Sequence, residues 1–249
     1  MAHDTDLNSK WTAARTAIED DNLPMLRELM GALEKELAAD PLFQRLANNL
    51  LLSATTFVSP DCLVCLVEEF GCDIHHSSAS LSRGALALAI HWSDPHIRAR
   101  AFNAMMAYAK KEMLDAQESG WIAALKTALF VGDVEIMRSL ASFIGGERFS
   151  EWVPKIRSGS ADAWALAARN GKLEMIDILM AIPEMSARFD MGMAFGGHSL
   201  AYAADEFRHT SFAREIRAIA VSRHEQGLIE DACHPPRPAT QAAMASRRM

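Results

Sequence analysis

The chain has 249 residues, half of them hydrophobic and 23% charged, with a formal net charge of −7 when histidine is neutral. That length suits one repeat array or two small domains. The acidic balance argues against nucleic-acid binding, which needs clustered Lys and Arg for phosphates, and no run approaches the ~18 apolar residues of a membrane span.

Scarce Tyr beside plentiful Ala, Leu and Met favours helix over strand. Residues 1–9 are polar, read as a frayed end, and lack the basic-then-apolar layout of a secretory signal. Trp11 to Met30 reads as a first helix pair, and Glu19-Asp20-Asp21 gives the polar face expected of a terminal unit. Leu33 and Leu37, at i, i+4, prolong its second helix. Asp40-Pro41 reads as the cap and first-turn proline of a helix through about Ser53, and a second pair ends at Phe70-Gly71. Cys72 to Gly84 is a Ser- and His-rich connection that leaves His75 and His76 exposed. A third pair holds His91, Trp92 and His96, and Ala104 to Gln117 reads as one long helix closed by Ser119-Gly120. The fourth pair ends near Phe143, and Glu147 to Ser160 holds a short extra helix.

In the fifth pair, Trp164, Ala167 and Ala168 share one helical face and Leu173, Ile176, Leu179 and Met180 another. Asn170-Gly171 between them tolerates the left-handed conformation that ends a helix. Ile182-Pro183 stops the pair, and Phe189 to Gly197 carries no assignment. A sixth copy leads from Leu200 into a helix to about Gln226, and residues 227–249, with Pro235, Pro236 and Pro238, read as a disordered tail.

Aligned on Leu179, the copies carry anchors at Leu29, Leu66, Met105, Leu140, Leu179 and Ile216, separated by 37, 39, 35, 39 and 37 residues. Ala17, Ala54, Ala89, Ala128, Ala167 and Ala203 share one slot, where small side chains let helices approach. Pro24, Pro60 and Pro95 all open second helices, with Ser59 and Asp94 as caps. The run Trp164-Ala-Leu-Ala-Ala-Arg-Asn-Gly-Lys-Leu-Glu-Met-Ile-Asp-Ile-Leu-Met180 resembles the helix pair of an ankyrin repeat. Leu66-Val-Glu-Glu-Phe-Gly-Cys-Asp-Ile74 is similar to the segment that leaves such a pair.

The resemblance covers most of Trp11 to Ile216. It implies an all-α solenoid of about six stacked helix-turn-helix repeats over residues 10–226, ankyrin-like with long irregular connections. The family's Thr-Pro-Leu-His opening is absent and the period exceeds its roughly 33 residues. Extra helical turns in place of some fingers, as in armadillo- or HEAT-like arrays, are the alternative.

Cys62-x2-Cys65-x6-Cys72-x2-His75 has four zinc-type ligands at short spacings and supports an alternative reading as a metal-binding or hydrolytic enzyme. The repeat register instead sets Cys62 and Cys65 on a second helix and Cys72 at a small-residue slot, so they read as core and no metal is assigned. Four cysteines, one in the tail, form no disulfide scaffold and point to a reducing compartment. Pro95 separates His91 from His96, and Ser80, Ser82, Ser158 and Ser160 lack a Gly-x-Ser-x-Gly context. No phosphate-cradling Gly-Lys-Ser/Thr motif occurs. No catalytic residue and no cofactor is therefore expected. Asp162, Glu174, Asp177 and the pairs Arg98/Arg100 and Lys110/Lys111 read as solvated faces.

The two residues before each turn are Glu19-Asp20, Thr56-Phe57, His91-Trp92, Phe130-Val131, Arg169-Asn170 and Asp205-Glu206. Aromatic side chains in the middle three copies point to a partner-binding strip of Thr56, Phe57, His91, Trp92, Phe130, Arg169 and Asn170 on the concave repeat surface. The competing explanation is that these aromatics fill gaps between irregular repeats. The expected function is non-enzymatic binding of another protein, as an adaptor or effector, with no nucleic acid and no membrane as partner. The expected compartment is the cytoplasm, the alternative being secretion into a host cell by a route without a classical signal peptide.

Overall fold

A computed structural model describes residues 2–37, 40–77, 83–158, 161–190, 194–195, 198–200, 204–205 and 207–233. The chain is mostly helical. Its helices are α1 (Ala2–Glu19), α2 (Leu23–Glu36), α3 (Pro41–Phe57), α4 (Pro60–Glu68), α5 (Ala85–Ile90), α6 (Pro95–Ala107), α7 (Glu118–Val131) and α8 (Val134–Ile144). There follow α9 (Gly146–Trp152), α10 (Ala163–Asn170), α11 (Leu173–Met180), α12 (Pro183–Asp190) and α13 (Thr210–Cys233). Two small antiparallel hairpins interrupt them: β1 (Arg157–Ser158) with β2 (Ala161–Asp162), and β3 (Ala194–Phe195) with β4 (His198–Ser199).

Helix starts follow the local chemistry. Asn22, Asp40, Asp94, Asp133 and Asp162 each accept a backbone N–H two or three residues on, satisfying amides that have no intrahelical partner. Pro41, Pro60 and Pro95 open α3, α4 and α6, where a missing N–H costs nothing. Asp162 is therefore a buried cap, 7% exposed, and not a solvated charge. Glu174 and Asp177 are exposed as expected.

The helices pair as α1/α2, α3/α4, α5/α6, α7/α8 and α10/α11, and the pairs stack in chain order. First helices pack in series, α1 on α3, α3 on α5, α5 on α7 and α7 on α10. Second helices pack α2 on α4, α4 on α6 and α8 on α11. Ala17, Ala54, Ala89, Ala128 and Ala167 lie fully buried, one on each first helix; Ala203 lies outside the described residues. Backbone geometry repeats as well. Asp21, Val58, Gly132, Gly171 and Arg208 all have positive φ, and each stands eight positions before the anchor of its copy: 21 before 29, 58 before 66, 132 before 140, 171 before 179 and 208 before 216. The third copy has no such residue: His91 to Asp94 link α5 to α6 without a left-handed step.

Some expectations are overturned. α1 begins at Ala2, with Leu7 packed on the core and Lys10 paired to Asp6 and Glu36, so the N-terminal residues are helical and anchored. Ala104 to Gln117 is not one helix. α6 ends at Ala107, Tyr108 and Ala109 close it with tightened bonds, and a 3-10 turn at Lys111–Met113 leads the buried Leu114 inward. Ser119-Gly120 lies in the first turn of α7 instead of closing a helix. A Cβ at Gly120 would meet the His75 ring at 2.5 Å, so this glycine serves a close approach. α13 continues past Gln226 to Cys233. Ser80, Ser82, Ser160 and residues 234–249 lie outside the described residues.

Candidate functional site

The first helices end on carbonyls that no amide of their own helix can reach. Side chains 37–41 residues further along the chain bond to them. The Ser59 hydroxyl donates to the Ile18 carbonyl at 2.5 Å, so Ser59 joins the first two helix pairs and does not cap α4. Trp92 Nε1 donates to the Thr55 carbonyl at 2.8 Å. Asn170 Nδ2 donates to the carbonyls of Leu129 at 2.8 Å and Phe130 at 3.1 Å. Lys172 donates to Gly132 and His209 Nε2 to Arg169. Turn glycines make room for this: a Cβ on Gly132 would come within 2.6 Å of the Asn170 side chain, and one on Gly171 within 2.6 Å of His209. At the remaining joint Arg98 donates to the Trp92 carbonyl and pairs with Asp133 at 2.9 Å, both side chains largely covered. Arg98 is thus a joint residue and not part of a solvated basic face.

Two of the seven candidate partner-binding residues belong to these joints. Trp92 is 6% exposed, and its indole spans the α3–α5 contact. It is a buried wedge and not a surface anchor. Asn170, half-buried, is likewise committed to carbonyls of the preceding helix pair. Thr56 is exposed and returns its hydroxyl to Leu52.

Of the other four, Phe57, His91 and Arg169 are exposed and Phe130 is half-buried against the core. Phe57 is 40% exposed, with the Arg15 guanidinium 5.8 Å from its ring centre. The His91 ring lies 5.5 Å from that of Phe130, and the Arg169 guanidinium sits over the same ring at 4.1 Å. Residues 91, 130 and 169 are spaced 39 positions apart. Arg15 was not singled out from the sequence, although it lies four residues before Glu19, with which it pairs. The donors Ser59, Arg98, Lys172 and His209 were legible only as residues one period after a helix end.

The cysteine cluster does not assemble a metal site. Cys62, Cys65 and Cys72 are buried free thiols, and among the described residues no group of three His, Cys, Asp or Glu side chains is placed to hold a metal ion. Burial, reinforced by nearby carboxylates, pushes their thiols up to about 12, 11 and 12. The protonated thiol is neither nucleophile nor ligand at neutral pH. His75 is also not exposed. Its ring packs on Trp121 at 4.3 Å, its Nε2 is buried without a partner, and burial lowers its pKa to about 4. His76 meets the Asn49 side chain at 3.1 Å. A cleft of roughly 410 Å³ lies between the 71–74 turn and the Tyr108–Met113 segment. Lys110 stands at its edge, and Asp73 Oδ1 there accepts from the His75 amide and the Gln117 side chain.

No family model matches the chain, and no curated protein or solved structure does either. Among the described residues no helix is long and apolar enough to cross a membrane.

Proposed function

We propose that the chain is a degenerate ankyrin-like solenoid that works as a non-enzymatic protein-interaction module. The observation that carries the reading is the row His91, Phe130 and Arg169, spaced 39 residues apart, with a half-buried aromatic ring between an exposed imidazole and an exposed guanidinium. Phe57 under Arg15 extends the pattern toward the first repeat. Aromatic and Arg side chains dominate binding energy at protein interfaces. Further support for the ankyrin-like part comes from the two-helix register and from the β1–β2 hairpin that leads into α10 and α11. The partner is another protein, held by surface complementarity as an adaptor or effector would hold it. The compartment proposed is a reducing one, the cytoplasm, where three buried free thiols persist.

The test uses Phe57→Ala, Phe130→Ala and Arg169→Ala in one chain, with helicity followed by circular dichroism. Proteins cross-linked to the wild-type chain in cells should be lost from the folded triple variant. Full retention by the triple variant would place the binding face elsewhere.

A further inference from the structure

We infer that the Phe130 face takes an acidic segment of its partner, a carboxylate side chain against Arg169 beside an apolar one against Phe130 and His91. The inference rests on the protein-interaction reading above. Arg169 is exposed, its guanidinium carbon lies over the Phe130 ring 4.1 Å from the centre, and among the described residues its guanidinium has no carboxylate partner. Stacking occupies the face of a guanidinium and leaves its in-plane N–H groups free, the geometry that receives a carboxylate through two parallel bonds. The backbone beneath is pinned from both sides, by Asn170 on Leu129 and Phe130 and by His209 on the Arg169 carbonyl. A side chain already held in place loses little freedom on binding.

The local charge has the same sign. Among the described residues Asp133 is engaged by Arg98 and Asp205 by Arg217, and Glu174, two residues after Lys172, is exposed. Arg169, Lys172 and Arg208 are left as exposed cations at this end. Against a formal net charge of −7, that is a local reversal of sign. A nucleic acid would meet the surrounding negative charge over a longer track, whereas a short acidic peptide meets only the reversed patch.

A displayed library of random twelve-residue peptides, selected on the wild-type chain, tests this. Enriched peptides should carry Asp or Glu beside an aromatic or aliphatic residue. By fluorescence anisotropy the best of them should bind Arg169→Glu at least tenfold more weakly. Selection on Arg169→Glu should shift enrichment toward Lys and Arg. Enriched peptides without acidic bias that still lose binding to Phe130→Ala would overturn the acidic assignment and keep the interaction face. Enrichment insensitive to both substitutions would overturn the face as well, and so would no enrichment at all. Binding of a twelve-nucleotide oligothymidylate that Arg169→Glu abolishes would replace the peptide with nucleic acid.

Discussion

Replacing Trp92 by Phe separates a wedge between repeats from an anchor on the surface. The Thr55 carbonyl belongs to the last turn of α3, where it has no amide of its own helix to accept from, and the Trp92 indole N–H supplies that bond at 2.8 Å with the side chain 6% exposed. Phenylalanine keeps most of the ring and removes the donor. Stranding a buried acceptor costs about 1–3 kcal/mol. The lost second ring adds a small cavity, so about 2 kcal/mol or more is expected. Trp92→Ala should cost about 3–5 kcal/mol. In a chain of this size 2 kcal/mol corresponds to a fall in Tm of about 4–8 °C. Urea unfolding followed at 222 nm, with the slope held, measures the same loss. Phe57→Ala is the internal control, since a side chain 40% exposed should cost under about 1 kcal/mol. A Trp92→Phe chain within about 0.5 kcal/mol of wild type would refute the argument that the indole closes the α3–α5 joint.

Gly132→Ala should cost about 2 kcal/mol or more: the residue has φ +72°, which penalises a Cβ by roughly 1–2 kcal/mol, and the new atom displaces Asn170 from the α7 carbonyls. A wild-type Tm for this variant would remove the basis for the inter-repeat joint. His75 should make the fold acid-sensitive. Its pKa falls from 6.5 to about 4 on folding, so the unfolded chain binds the proton more readily, and stability present above pH 6.5 is lost as pH falls from there toward 4. Between pH 7.5 and 5 the loss should be on the order of 2 kcal/mol, and His75→Gln should flatten the profile; an equally steep profile in that variant would assign the effect elsewhere. Cys62, Cys65 and Cys72, with thiols raised to about 12, 11 and 12, should resist iodoacetamide at pH 8 and label in urea. Peptide mapping checks this, and labelling of any of the three at a free-thiol rate in native buffer contradicts their burial.

Much of the helix-pair architecture was written locally. Caps, first-turn prolines and small residues act within a few positions, so Asp94-Pro95, Asp40-Pro41 and the row from Ala17 to Ala167 could be read from the sequence. The positive φ at 58, 132 and 171 fits the same period, even where valine replaces glycine. The roles of boundary residues were not local. Ser59 has the sequence context of a cap but bonds to Ile18, Gly120 has that of a stop but admits His75, and Asp162 has that of a solvated charge but is a buried cap.

The sequence alone determined where helices begin, which faces are apolar and how often the unit recurs, because those follow from short-range capping and a 3.6-residue period. The tertiary structure decided which residue at each helix end turns inward to close a joint, as Trp92 does, and which stays at the surface, as His91 and Arg169 do. That choice depends on a carbonyl or a ring supplied by a neighbouring helix pair, some 37 to 41 residues away. No local pattern encodes that distance.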